Sequence, residues 1–275
     1  MDSPSNVPDR HGSNGVVRRA TVAGLTSVTG LAVRVTRGHP RDRAKVAGMA
    51  WWYRAAEAGE RYRHQVYKAM YFLGLTPWNR ETPHPFLAKA MADTPKPRPD
   101  APALEIGCGT GTNAVFLAQQ GWTVTAVDMV SRALELGRAK ATAAGVEVNF
   151  MRSDATRLDS ADGIAAPGGY DLIVDIGCFH AIPLAERNGY VDSITALAAP
   201  AATLLLIGQF ARPARDSRKA GLTPTEVENR FTGWEITHRE MLSTAPESDL
   251  PADHISEWFE IWHYRLRRKH DLDCH

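Results

Sequence analysis

Three cysteines in 275 residues, Cys108, Cys178 and Cys274, are too few and too scattered for a disulfide framework or a zinc-ligand spacing. They read as reduced thiols, which points to a cytoplasmic setting, and no metal site is expected. Long apolar runs are missing too: none approaches the roughly 20 residues that cross a bilayer, so no membrane span is expected. No internal repeat is found, which excludes a solenoid or propeller. A net charge of only +1 hides an asymmetry, because Arg18, Arg19, Arg34, Arg37, Arg41, Arg43 and Lys45 crowd the N-terminal quarter. A basic arm can meet nucleic acid or an anionic surface; the plainer reading is a solvated leader. The start "MDSPSNVPDRHGSNG" is polar and lacks the charged-then-apolar order of a secretory signal. The remainder, 44% hydrophobic and 23% charged, has an ordinary globular composition.

Three segments follow from the patterning: a basic, partly disordered extension over 1–48, a helical cap over 49–99, and a core over 100–270. In the cap, Trp52, Ala55, Ala56, Tyr62, Val66, Ala69, Met70 and Leu73 recur at helical spacings that suit buried faces, with Gly59 a point where the helix can divide. A proline-punctuated loop, "TPWNRETPHP", leads to a helix opened near Pro85, with Phe86, Leu87 and Ala90 facing inward. Beyond residue 100, strands alternate with helices, the pattern of a parallel sheet with crossover helices. Strands are expected at "ALEIG", "TVTAVD", "VNFMRSD", "YDLIVDIG" and "TLLLIGQ", and helices near 112–120, 131–144, 184–199 and 224–230. "GWEITHREML" and "SEWFEIWHYRLRRK" then read as two strands that close the sheet as an antiparallel pair.

The chemistry concentrates in "ALEIGCGTGTNAVFLAQQGWTVTAVD", residues 103–128. Gly107, Gly109 and Gly111 let the backbone turn sharply and approach a ligand closely. A dinucleotide fingerprint would need Gly or Ala where the chain has Thr112, so a nicotinamide or flavin dinucleotide is disfavoured and a mononucleoside favoured. Asp128 ends the next strand, where such folds place a carboxylate to accept from both ribose hydroxyls.

These residues resemble the class I S-adenosylmethionine-dependent methyltransferases. Glu105 to Gly111 looks like the first motif, Asp128 the acid closing strand two, Ser153-Asp154-Ala155 the adenine-edge motif, "DLIVDIGCFHAI" the fourth and "LLLIGQF" the sixth. The resemblance implies an α/β, Rossmann-like, seven-stranded, mostly parallel sheet with an antiparallel last strand and helices on both faces. It implies S-adenosyl-L-methionine as cofactor, its methionine end beside Glu105, Gly107 and Gly109 and its ribose on Asp128. Met129 would pack on the adenine, whose edge would meet Asp154 and the Ala155 amide. The alternative reading of Asp154 is a turn residue in "RSDATRLD". "TPWNRETPHP" and "GCFHAI" look most like the thiopurine, tellurite-resistance and heterocyclic-toxin branch, with Trp78 folding over the cofactor; Asn79 departs from the Asp often found there.

The acceptor is expected beyond strand four, because ligands of open α/β sheets lie outside the carboxyl ends of the strands. His180 is the candidate for proton transfer or for orienting an acceptor oxygen, against the plainer alternative of a structural histidine. Phe179, Phe86, Phe210 and Arg212 are the candidate acceptor-lining residues, and Cys178 is read as packing. The expected activity is methyl transfer to O, S or N of a small hydrophobic, aromatic or heterocyclic acceptor, with no nucleic acid partner. The rivals are a nucleic-acid or protein methyltransferase and a non-catalytic cofactor-binding protein. No Asn-Pro-Pro-aromatic or Asp-Pro-Pro-aromatic signature follows strand four, which weighs against base methylation.

Overall fold

The computed structural model describes residues 60–76, 78–94, 96–158, 163–211, 222–242 and 259–269. The leader, Trp52, Ala55, Ala56, Arg212, Trp258 and Cys274 lie outside the described residues, and Tyr62 and Phe210 are described as backbone only.

Helix α1 (Glu60–Leu73) and helix α2 (Pro85–Ala92) precede the sheet. Proline at the first position of α2 has no amide to leave unsatisfied, and the His84 side chain accepts the Phe86 amide as the cap. Strand β1 (Pro102–Ile106) is buried at every position, as expected of a parallel strand covered on both faces. Leu104 and Ile106 enter one core cluster with Ile173, Leu204, Leu206 and Tyr264. Ala103, one residue out of phase, enters the other with Leu87, Ala114, Leu117 and Leu205.

Helix α3 (Thr112–Gln119), strand β2 (Thr123–Asp128), helix α4 (Ser131–Ala144) and strand β3 (Asn149–Arg152) build one wing. Strand β4 (Tyr170–Ile176), helix α5 (Arg187–Leu197), strand β5 (Ala198–Ala211), helix α6 (Pro224–Arg230) and strands β6 (Trp234–Leu242) and β7 (Phe259–Arg268) build the other. The seven strands are ordered β3-β2-β1-β4-β5-β7-β6, and β7 runs antiparallel to both β5 and β6. The order reverses between β1 and β4, so a crevice opens there at the carboxyl ends, where open α/β sheets bind ligands. Among the described residues no helix is long and apolar enough to cross a membrane.

Three local expectations change. The helix expected over 184–199 is Arg187–Leu197. Pro200 offers no helical amide and forces Ala199 into extended backbone, so Ala198 already pairs with Tyr170 as the start of β5. Strand β3 stops at Arg152, short of Asp154, because the Asp154 carboxylate takes the Thr156 amide and hydroxyl, both at 2.9 Å, and turns the chain. On α1 the face turned inward carries Met70 and Tyr71, while Ala69 is exposed and Leu73 is 63% exposed. Tyr71 wins the buried place because its ring packs with Val130 and Ala133 and its hydroxyl oxygen accepts a hydrogen bond from Trp78 Nε1 at 3.0 Å.

Candidate functional site

The glycine loop leaves β1 at Ile106 and reaches α3 at Thr112, with Gly107, Gly109 and Gly111 at φ of 66°, 54° and 70°. A Cβ on Gly107 would lie 2.7 Å from Cys178 Cβ, and one on Gly109 would lie 2.9 Å from the Tyr71 hydroxyl. Glycine is thus required both by conformation and by the approach of the turn after β4 and of the cap. Asp128 holds the loop from the side: Oδ2 accepts the Gly109 amide at 3.0 Å and Oδ1 the Val130 amide at 2.9 Å. Burial raises its pKa and those two amides oppose the rise. Each oxygen keeps a further lone pair, the capacity needed to accept two vicinal hydroxyls.

Glu105 is 2% exposed. Its Oε1 accepts from Asn113 Nδ2 at 3.0 Å, and its Oε2 is buried with no hydrogen-bond partner. Burial, opposed by the Asn113 bond and the nearby Ala114 amide and reinforced by Asp128 and Asp175, pushes the carboxyl up to about 8. An open carboxylate oxygen beside a glycine cradle fits the ammonium of an amino acid, and the cradle with Asp128 fits a nucleoside.

The turn after β4 is organised by Asp175, which is fully buried. Its carboxylate accepts the Cys178 and Phe179 amides at 2.8 and 2.9 Å and the Tyr190 hydroxyl at 2.6 Å. Burial lifts its pKa to about 6 against those bonds. Arg187 secures the far side of the turn, donating to the carbonyls of Ile182 at 2.9 Å and His180 at 3.3 Å. Burial first, then Arg187, lowers His180 to about 4, so its imidazole is neutral at physiological pH.

Glu105, Gly107, Gly109, Gly111 and Asp128 therefore meet at the glycine loop, with Cys178 against Gly107 and Trp78 reached through Tyr71, while His180 lies further along the same turn beside Gly177. Met129 packs beside Tyr71 and Val130. Asp154 and Ala155 follow β3 next to Asp128, whose carbonyl accepts the Ser153 amide at 3.2 Å; Asp154 is exposed and makes the turn described above. Two acceptor candidates lie elsewhere. The Phe179 ring is fully buried against Tyr190 and Phe231, and Phe86 stacks on His263 of β7 with centroids 4.2 Å apart. Asp175, Asn113 and Tyr71 escaped sequence reading. A lone acid inside the apolar run "DLIVDIG" was the available signal for the first, and a polar residue in the first turn after the glycines for the second.

Fold and crevice together define a Rossmann-like nucleoside-binding domain of the methyltransferase type. Residues 103–201 match the family described as "Methyltransferase domain". The chain is 30% identical over 132 residues to 2-heptyl-1-hydroxyquinolin-4(1H)-one methyltransferase of Mycobacteroides abscessus, covering 48% of this chain and 55% of that one. It spans between about half and three-fifths of the curated relatives first matched, 55% and 60%. Among solved structures it resembles 1,6-didemethyltoxoflavin-N1-methyltransferase of Burkholderia thailandensis (TM-score 0.58, 18% identity, 75% of this chain and 87% of that chain). It also resembles a protein described under "Conversion of a Disulfide Bond into a Thioacetal Group during Echinomycin Biosynthesis" (TM-score 0.59, 24% identity, 74% and 92%). Both likenesses speak to the fold.

Proposed function

We propose that the chain methylates O, S or N of a small hydrophobic, aromatic or heterocyclic acceptor, in the cytoplasm and without a nucleic acid partner. The observation that carries the reading is the convergence of the Glu105 carboxyl, the glycine cradle and the Asp128 carboxylate on one crevice. The quinolone named for the Mycobacteroides abscessus relative supports an aromatic nitrogen heterocycle as the acceptor class. When bound, S-adenosylmethionine supplies a sulfonium methyl open to in-line displacement.

What the chain itself contributes is alignment. Glu105 holds an ammonium, Asp128 two hydroxyls, and the Asp175-organised turn fixes Cys178 and His180 across from Gly107. Such alignment is worth up to about 7–11 kcal/mol in favourable cases, against a factor of about 10² to 10⁴ for general-base help. A neutral His180 orients an acceptor oxygen or takes its proton; a heterocyclic hydroxyl already anionic near neutral pH needs only the orientation. Trp78 and the Asp154–Ala155 turn frame the nucleoside. Phe86 and Phe179 act from behind the acceptor wall, while Phe210, near the end of β5, and Arg212 would contact the acceptor.

Calorimetry with S-adenosylhomocysteine, followed by labelled methyl transfer to hydroxyquinolines, phenols, thiols and RNA, tests this. Asp128→Asn is expected to weaken binding by about 1.5–3 kcal/mol, the loss of hydrogen bonds to a charged group. Unchanged affinity removes the ribose role. Transfer to RNA in preference to every small acceptor overturns the substrate class, and binding without transfer to any acceptor overturns the activity.

A further inference from the structure

Side chains of the glycine loop and of the helix that follows it reach segment 78–84. Thr110 Oγ1 donates to Asn79 Oδ1, and Thr112 Oγ1 donates to the Arg80 carbonyl at 2.7 Å. Lys140 of α4 donates to both hydroxyls, at 3.2 and 2.6 Å. Asn113 makes the third join: its Oδ1 accepts the His84 amide at 2.9 Å while its Nδ2 donates to Glu105 Oε1 at 3.0 Å. One planar amide therefore touches segment 78–84 with one end and the buried carboxyl with the other.

We propose that Asn113 is a positioning residue that couples an ammonium on Glu105 to closure of segment 78–84 over the cofactor. The inference rests on the reading of Glu105 as the acceptor for the amino end of S-adenosylmethionine. Both Asn113 bonds form together only while Glu105 accepts. A protonated Glu105 keeps the Nδ2 bond only as a weaker, neutral one through its carbonyl oxygen, and where the proton sits on Oε1 it is offered to Oδ1, which turns Nδ2 toward the His84 amide, donor against donor. A cation on the open Oε2 keeps Glu105 ionised, so the Nδ2 bond becomes charge-assisted and Oδ1 stays on the cap. The surroundings favour this dependence on a ligand. Burial and the carboxylates of Asp128 and Asp175 oppose ionisation of Glu105, Cys108 interacts with it, and Lys140 is the nearby cation.

The test is hydrogen exchange of the His84 amide, read by NMR in the full chain with saturating S-adenosylhomocysteine or 5′-methylthioadenosine. The second ligand keeps the thioether nucleoside but lacks the amino acid. In the wild type, S-adenosylhomocysteine is expected to slow exchange about tenfold more than 5′-methylthioadenosine, the mark of a local opening suppressed by the ammonium end. Asn113→Ala is expected to erase that difference while both ligands still bind, and the isosteric Glu105→Gln, which weakens the ammonium contact, is expected to erase it at ligand concentrations raised to saturate the variant. Equal protection by the two ligands in the wild type overturns the coupling, as does a difference that survives in either variant. Failure of both ligands to bind the wild type overturns the cofactor reading beneath it, and calorimetry on the same samples separates the two outcomes.

Discussion

Glu105 and three histidines set opposing pH dependences on the ligand-free protein. Burial, with His263 and Arg80 adding to it, lowers His84 to about 3. Burial likewise lowers His180 and His263 to about 4 each. These groups are neutral in the fold but take a proton near 6.5 when unfolded, so they favour the fold above that pH and their contribution is lost as pH falls toward 4. Glu105 works the other way. Its carboxyl, raised from 4.5 to about 8, keeps a proton that the unfolded chain has released, so it costs stability progressively as pH rises through that window. Asp175 adds a like loss between 3.8 and about 6. Below 6.5 the three histidines outweigh the two acids; above it Glu105 alone of these groups changes. Urea unfolding is therefore expected to give maximal stability near pH 6.5 and a fall toward pH 8, at most about 1.4 kcal/mol per pH unit for one proton. Glu105→Gln should flatten the fall, and stability that rises from pH 6.5 to 8 in the wild type would contradict the assignment.

At the scale of elements, α4 carries a glycine at its middle that propensity alone would disfavour by about 1 kcal/mol against alanine. Gly137 is there because a Cβ would come within 2.6 Å of Phe150 Cε1; Gly111 meets the same ring at 2.7 Å. Phe150, 6% exposed on β3, is thus packed against the backbone of both the helix and the cofactor loop. Gly137→Ala is expected to destabilise by about 1–3 kcal/mol through overpacking, despite the better helix former. Adding Phe150→Leu should recover part of the loss in denaturant titrations, and a stabilised single variant would show that the ring yields freely. The same contrast explains what was legible in the sequence. The run from β1 through α3 to β2 could be read because its signals are local: continuous apolar strands, three glycines and an acid at the next strand end. The place of Asp128 beside the glycine loop was readable in this way. The direction of the Phe179 ring and the bond from Asn113 to His84, 29 positions apart, depend on which elements meet in space, and periodicity carries no record of that. Leu73 lost its expected buried place to Tyr71 for the same reason: the hydroxyl's partner, Trp78, lies on the loop that follows.

At the scale of the whole molecule, a buried ion pair among the described residues joins the helix that follows the β4 turn to the helix that follows β5. Arg187 of α5, its side chain 3% exposed, meets Glu226 of α6 with both carboxylate oxygens 2.8 Å from Nη1. Its guanidinium also lies 5.7 Å from the Phe179 ring centroid and holds the carbonyls of His180 and Ile182. Glu226 is itself fixed: its amide donates to the Thr223 cap at 3.1 Å, and its Oε1 accepts from Arg230 Nε at 2.8 Å. The turn that follows β4 and the helix that follows β5 are thereby held as one unit. Desolvation offsets much of the attraction in such a pair, so its net worth is small while the cost of leaving one charge alone is large. Glu226→Gln and Arg187→Met are each expected to lose about 3–5 kcal/mol of stability. The double variant Arg187→Met, Glu226→Leu should lose less than the sum of the two, because neither charge is stranded. Its methyl transfer should fall more than its stability, since His180 loses the guanidinium that anchors its carbonyl. Additive losses in urea titrations would mean that the two residues act separately, and full turnover in the double variant would detach the ion pair from the site.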